Sequence, residues 1–263
     1  MGIIESSLSP ASIKDNLETH FVGQRIIYYS SLTSTMETAR QEAQQGAAEG
    51  TVIITDEQTA GRGRVRRIWL SPRGNIALSV ILYPRVVYLP YLIMLASLAV
   101  VYSIASVTGL KPQLKWPNDV LVNGKKVCGI LVESEVRGSR VGYAIIGIGV
   151  NVNLRLADFS ELLPVATSLS DELGREISLV ELIRCLLVEL ERLYLTLPSG
   201  GSIYQQWRDR LVTLGRRVEV RWGKAVYGGI AESVARDGSL LLRSSDGSLT
   251  KIVAGDVTLR DYK

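Results

Sequence analysis

The chain has 263 residues, 46% of them hydrophobic and 21% charged, which suits one large domain plus a small one and excludes a disordered majority. Its 30 basic and 26 acidic residues leave a formal charge of +4, so nucleic-acid binding would need a local basic patch. A single histidine, His20, and two cysteines, Cys128 and Cys185, leave no Ser-His-Asp triad, histidine metal site or disulfide framework, and point to a reducing cytoplasm.

Residues 1–16 are polar and lack the apolar core of a signal peptide. A short helix is expected around Ser12–Thr19 and a first strand over Arg25–Ser30. Ser34-Thr35-Met36-Glu37 fits a capping box, opening a helix to about Gln45 that Gly46 stops. Such a helix start is either a plain N-cap or a seat for the polar edge of a ligand. Thr51–Thr55 and Ile76–Leu82 read as buried strands. Between them runs QTAGRGRVRRIWLSPRGNIALS, with Arg62, Arg64, Arg66 and Arg67 threaded by Gly61 and Gly63. Arginine forks on a glycine-hinged loop suit closure over a small anion, and a lid over residues 61–68 is expected. A solvated basic loop touching nucleic acid is the competing reading.

Residues 86–110 carry no charge and are long enough to span a bilayer. Pro90 at a first turn and Gly109 at a C-cap instead favour a capped core helix over Tyr91–Thr108. Lys115-Trp116-Pro117-Asn118-Asp119 forms a corner, and Asn123-Gly124 signals a two-residue hairpin turn pairing Val122 with Lys125 and Leu121 with Lys126. Strict alternation then puts Lys126 on one face with Cys128, Ile130 and Val132, where its charge needs an anion, and Lys125 on the other. Tyr143–Asn153 is a buried strand whose Gly147 and Gly149 suit close approach to the backbone. A second capping box at Ser178–Glu181 starts a helix to about Leu197, and residues 202–212 form another. Five short strands after Gly215 suggest a small barrel.

Two blocks, GRGRVRRIWLSPRGNIALS and KWPNDVLVNGKKVCGILVES, resemble the paired signatures of biotin–protein ligases. The likeness runs from about Tyr28 to Asn153 and includes the C-terminal tail; Arg66 stands where the family has glycine, and Met36 where it has asparagine. The resemblance implies an α+β fold: a mixed sheet packed with helices, the class II synthetase-like biotin/lipoate ligase core, over residues 1–212. An SH3-like domain would occupy 213–263. Because residues 1–24 are too short for a helix-turn-helix domain, the resemblance is to ligases that are not also repressors.

It also implies a reaction. Biotin is activated by ATP to biotinyl-5′-AMP with release of pyrophosphate, then transferred to a lysine of a biotin carboxyl carrier protein. The implied catalytic residues are Arg62, Arg64, Arg67, Lys126 and Asp119. Biotin would be held by Ser34, Thr35, Gln58, Gly61, Arg62, Arg64, Lys126, Gly129, Ile130 and Leu131. ATP or the adenylate would be held by Arg64, Arg67, Trp69, Asn118, Lys126 and Asn151, with Mg2+ arriving on ATP and no metal held by the protein. The family reading expects neither DNA nor membrane as partner and leaves a homodimer open. A lipoate–protein ligase, or a nucleic-acid module built on the arginine loop, are the alternatives.

Overall fold

The computed structural model describes residues 8–64, 67–155, 159, 165–199 and 202–259. After a short helix α1 (Pro10–Lys14), a seven-stranded sheet forms from β1 (Ile26–Tyr29), β2 (Val52–Thr55), β3 (Ile76–Leu82), β4 (Gln113–Lys115), β5 (Asp119–Val122), β6 (Lys125–Arg137) and β7 (Arg140–Val150). Its order is β1-β2-β3-β7-β6-β5-β4, with β1 and β2 parallel and the remaining neighbours antiparallel.

Helices cover both faces, so the central strands read as unbroken apolar runs. The helix α3 (Leu89–Thr108) and helix α5 (Leu179–Leu195) pack on one face with Ile54, Leu78 and Ile146. The helix α2 (Thr35–Gln44) packs Met36, Ala39 and Ala43 on the other, against Ile53, Ile81 and Ile145. The charge-free segment is thus a core helix: Leu92, Leu95, Leu98 and Ile104 are fully buried, Pro90 lies in the first turn, and Gly109 caps the end with φ 74°. Short helices α4 (Leu169–Leu173) and α6 (Ile203–Arg208) complete the layer, α6 being shorter than its sequence suggests.

The five C-terminal strands form as expected: β8 (Arg217–Trp222), β9 (Ala225–Val234), β10 (Leu240–Arg243), β11 (Leu249–Ile252) and β12 (Asp256–Leu259). They make an antiparallel sheet ordered β11-β10-β9-β8-β12, and among the described residues no ladder joins β11 to β12. The small SH3-like unit expected here is thus an antiparallel five-stranded sheet. This sheet is fixed to the core at the β4–β5 corner. Buried Trp116 donates its indole N–H to the Gly238 carbonyl at 2.8 Å and its backbone N–H to Thr213 Oγ1 at 2.9 Å.

Two local expectations need correction. The hairpin register is as read, with Val122 opposite Lys125 and Leu121 opposite Lys126, but the pairing then shifts to Val120 opposite Cys128. Val127 is the extra residue of this β-bulge, and a bulge reverses the phase of all that follows. Cys128 and Ile130 consequently join the α3 core, while Lys126 emerges on the Gly129 side. At α2, Ser34 occupies the N-cap but makes no side-chain capping bond. Glu37, its expected box partner, is drawn instead to Arg40 at 2.7 Å. The second box does close halfway: Ser178 Oγ accepts from the Glu181 amide at 3.2 Å.

The N-terminal segment is locked by one carboxylate. Glu191 on α5, with a side chain only 5% exposed, accepts from the backbone amides of His20, Phe21 and Val22 at 2.7–2.9 Å. Burial alone would raise its pKa, yet these amides and the His20 ring outweigh it and hold the carboxyl below its ordinary range. A depressed folded pKa gives stability that is present above the unfolded value and is lost as pH falls through the folded one. Glu191→Gln should therefore cost about 2 kcal/mol of unfolding free energy at neutral pH. In urea melts the gap to wild type should close as pH drops below the usual carboxylate range.

Candidate active site

One cavity opens on the α2 side of the sheet, and its floor is set by three glycines. Gly129 on β6 and Gly149 on β7 are direct cross-strand partners, and the Trp69 indole lies over both. A Cβ added at Gly149 would stand 2.9 Å or less from three indole atoms, so only glycine allows this stacking. Gly147, two residues earlier and roughly 7 Å along the strand, admits Met36 in the same way: an added Cβ would be 2.5 Å from its Sδ.

The α2 end of the cavity is polar. Gln58 Oε1 accepts from the Thr35 amide at 2.9 Å and from Thr35 Oγ1 at 3.2 Å, and Ser79 Oγ donates to Thr35 Oγ1 at 2.9 Å. Ser34 Oγ is buried, belongs to a residue that lines the cavity with Thr35 and Gln58, and has no hydrogen-bond partner among the described residues. An unmade bond at a buried hydroxyl costs about 1–3 kcal/mol, and a ligand donor or acceptor would remove that cost.

The Trp69 end is cationic. Lys126 Nζ is 2.5 Å from Asp119 Oδ1 and 5.4 Å from the Trp69 ring centre. Arg64 enters from the loop, where its Nη1 donates to Asn118 Oδ1 at 3.2 Å and to the Gly255 carbonyl at 3.3 Å, both neutral acceptors. Burial lowers its pKa, with Asp256 and Asp119 opposing the shift from a distance. Lys115 is likewise pushed down by burial, with Asp119 opposing. Desolvated cations short of anionic contacts raise the affinity of this end for a multiply charged anion. The rest of the loop is tied down at its edges. Arg62 faces Glu37 at 3.6 Å and Glu133 at 3.9 Å, and Arg67 pairs with Asp256 at 2.7 Å. Its stem is a small hairpin, with Gly63 N–H donating to the Arg67 carbonyl at 2.8 Å and Trp69 N–H to that of Gly61 at 2.8 Å.

Residues 28–151 match the model of the biotin/lipoate A/B protein ligase family, and 213–260 that of the biotin protein ligase C-terminal domain. The bifunctional ligase/repressor BirA of Bacillus subtilis is 39% identical over 96% of this chain and 79% of its own length. The biotin–[acetyl-CoA-carboxylase] ligase of Mycobacterium tuberculosis is 35% identical, with 95% of each chain covered. The chain belongs to the biotin protein ligase family. The biotin protein ligase from Aquifex aeolicus, solved in complex with biotin and ATP, superposes with a TM-score of 0.75 at 26% identity, covering 91% of this chain and all of that one.

Most residues implied by the family signatures converge here. Ser34, Thr35, Gln58, Arg62, Arg64, Arg67, Trp69, Asn118, Asp119, Lys126, Gly129, Ile130 and Leu131 all line the cavity. Two do not. Gly61 sits behind the wall, where a side chain would collide with the Trp69 carbonyl oxygen, so its role is to let the loop pass. Asn151 is buried outside the cavity and donates its amide to the Thr167 carbonyl at 3.0 Å, bracing the segment beside Lys126. Val65 and Arg66, the latter at the position of the family glycine, lie outside the described residues, and so does that part of the expected lid. Twelve further residues line the cavity without having been implied by the signatures, Met36, Lys115 and Asp256 among them. Lys115 was legible, since it opens the second signature; Asp256 belongs to the other sheet and carried no local signal.

Proposed function

We propose that this chain joins biotin to ATP as biotinyl-5′-AMP, releasing pyrophosphate, and then passes biotin to a lysine of a biotin carboxyl carrier protein. The observation that carries this reading is the two-ended cavity. An orphan buried hydroxyl with Thr35 and Gln58 suits the ureido head of biotin, and the cationic end suits phosphates beside its carboxylate. A dithiolane ring has no group to bond Ser34, so biotin is favoured over lipoate. A nucleic-acid role finds little support in arginines already engaged by Glu37, Glu133 and Asp256.

In the first step the biotin carboxylate attacks the α-phosphorus and the pyrophosphate oxygen leaves. Lys126 and Arg64 stabilise charge gathering on the α-phosphate, Lys115 and Arg67 serve the departing phosphates, and Trp69 offers its indole face to adenine, with Asn118 at the edge. In the second step the acceptor amine attacks the acyl carbon, AMP departs, and Asp119 is the carboxylate at hand for the amine proton. Mg2+ would come bound to the triphosphate. The cavity's carboxylates, Asp119 and Asp256, each face a cation. We also read 1–212 as the catalytic unit and 213–263 as a second unit that closes its wall, acting in the cytoplasm.

Incubation with biotin and ATP should yield pyrophosphate and a biotinyl-adenylate mass, and a labelled carrier domain only when its target lysine is present. Pyrophosphate release that biotin does not stimulate would refute the reading.

A further inference from the structure

The turn leading into β12 reaches into the site of the first sheet. Its Gly255 carbonyl receives Arg64, and the next residue, Asp256, pairs with Arg67 at 2.7 Å. Arg64 and Arg67 are thus held by two consecutive residues of the C-terminal sheet. The turn is itself firmly seated. A Cβ on Gly255 would come within 2.6 Å of Val220 Cγ1 on β8, and Asp256 sits in register with Arg221. Among the described residues Asp256 is the only carboxylate in ion-pair distance of Arg67, whose side chain is 66% exposed.

We propose that Asp256 is a positioning residue for adenylate formation: it fixes the Arg67 fork in place before ATP arrives. The inference rests on the function proposed above. An arginine side chain free in solvent must lose its rotamer freedom to grip a phosphate, and a pair that has already ordered it removes that cost from nucleotide binding. The biotin end is built from Ser34, Thr35 and Gln58, none of which touches this turn, so biotin binding alone stays independent of it. A carboxylate near the phosphates also repels them, which would act in the opposite direction. The sign of the change in KM therefore separates positioning from mere competition for Arg67.

The test compares wild type, Asp256→Asn, Asp256→Glu, Arg67→Gln and the double variant Arg67→Gln/Asp256→Asn in full-length protein. The readouts are adenylate formation at varied ATP, biotin affinity without ATP, and Tm. Asp256→Asn should raise KM for ATP by about fivefold, with kcat changed less, biotin affinity within about twofold, and Asp256→Glu partly restored. The double variant should be no worse than Arg67→Gln alone, because the pair acts as one unit. A lower KM for ATP, additive losses in the double variant, or a uniform loss that follows Tm would each overturn the proposal. Wild type that binds no biotin and makes no adenylate would instead refute the underlying function.

Discussion

Lys126→Gln is expected to slow biotinyl-adenylate formation by ~10²–10³-fold, the usual loss when one preorganised charge-stabilising group is removed. Lys125→Ala should leave the rate within about twofold, as for an exposed side chain far from the reacting atoms. The two lysines are adjacent in sequence and share the same charge, so the contrast isolates geometry. Lys126 lies between Asp119 and the Trp69 ring, whereas Lys125 is exposed beside the Asn123-Gly124 turn. The glutamine variant also strands Asp119, whose carboxylate is 20% exposed and loses its nearest cation. Part of the loss is then repulsion between Asp119 and incoming phosphate, and Lys126→Gln/Asp119→Asn should recover a fraction of it. Single-turnover formation of labelled adenylate at saturating biotin and ATP measures both. Equal losses at Lys125 and Lys126 would contradict the bulge that separates their faces.

That bulge marks where the sequence stopped being legible. Asn123-Gly124 fixes the hairpin register through local backbone preference, and the first two pairs follow from it. Val127, however, is an ordinary β-branched residue with no signal that two residues will oppose one. Strict alternation therefore put Lys126 among core residues, where its charge had to be explained; the extra residue takes it to the cavity instead. Ser34 shows a related limit. The pattern reads as a capping box, but a box and a ligand seat use the same hydroxyl, and only the pull of Arg40 and Arg62 on Glu37 decides between them. The strands of the second sheet were legible for their turn residues, while the reach of Asp256 into the cavity depends on long-range packing. Motif residues were legible as a set because the loop of the first signature folds over the β6 strand of the second, where Trp69 lies on Gly129.

Gly149→Ala should cost ~10–100-fold in KM for ATP, the range expected when one stacked base loses its aromatic partner. The backbone at Gly149 is regular strand, paired to Ala77 and Gly129, so alanine fits the dihedrals and the effect is steric alone. Its methyl would meet Nε1, Cε2 and Cζ2 of Trp69, a rigid ring that has to leave the floor to make room. The ring is also what Lys126 packs against, so the lysine loses its place with it. Gly147→Ala is the control on the same strand and face. There the nearest atom is the Sδ of Met36, part of a flexible thioether that can yield by rotation. It should therefore weaken ATP binding by less than about threefold, while any effect falls on the α2 end, where biotin affinity is read. Fluorescence of the indole should shift in the Gly149 variant and not in the Gly147 one. If both glycines tolerate alanine equally in ATP kinetics, Trp69 is not the adenine platform and the cationic end must hold the nucleotide by its phosphates alone.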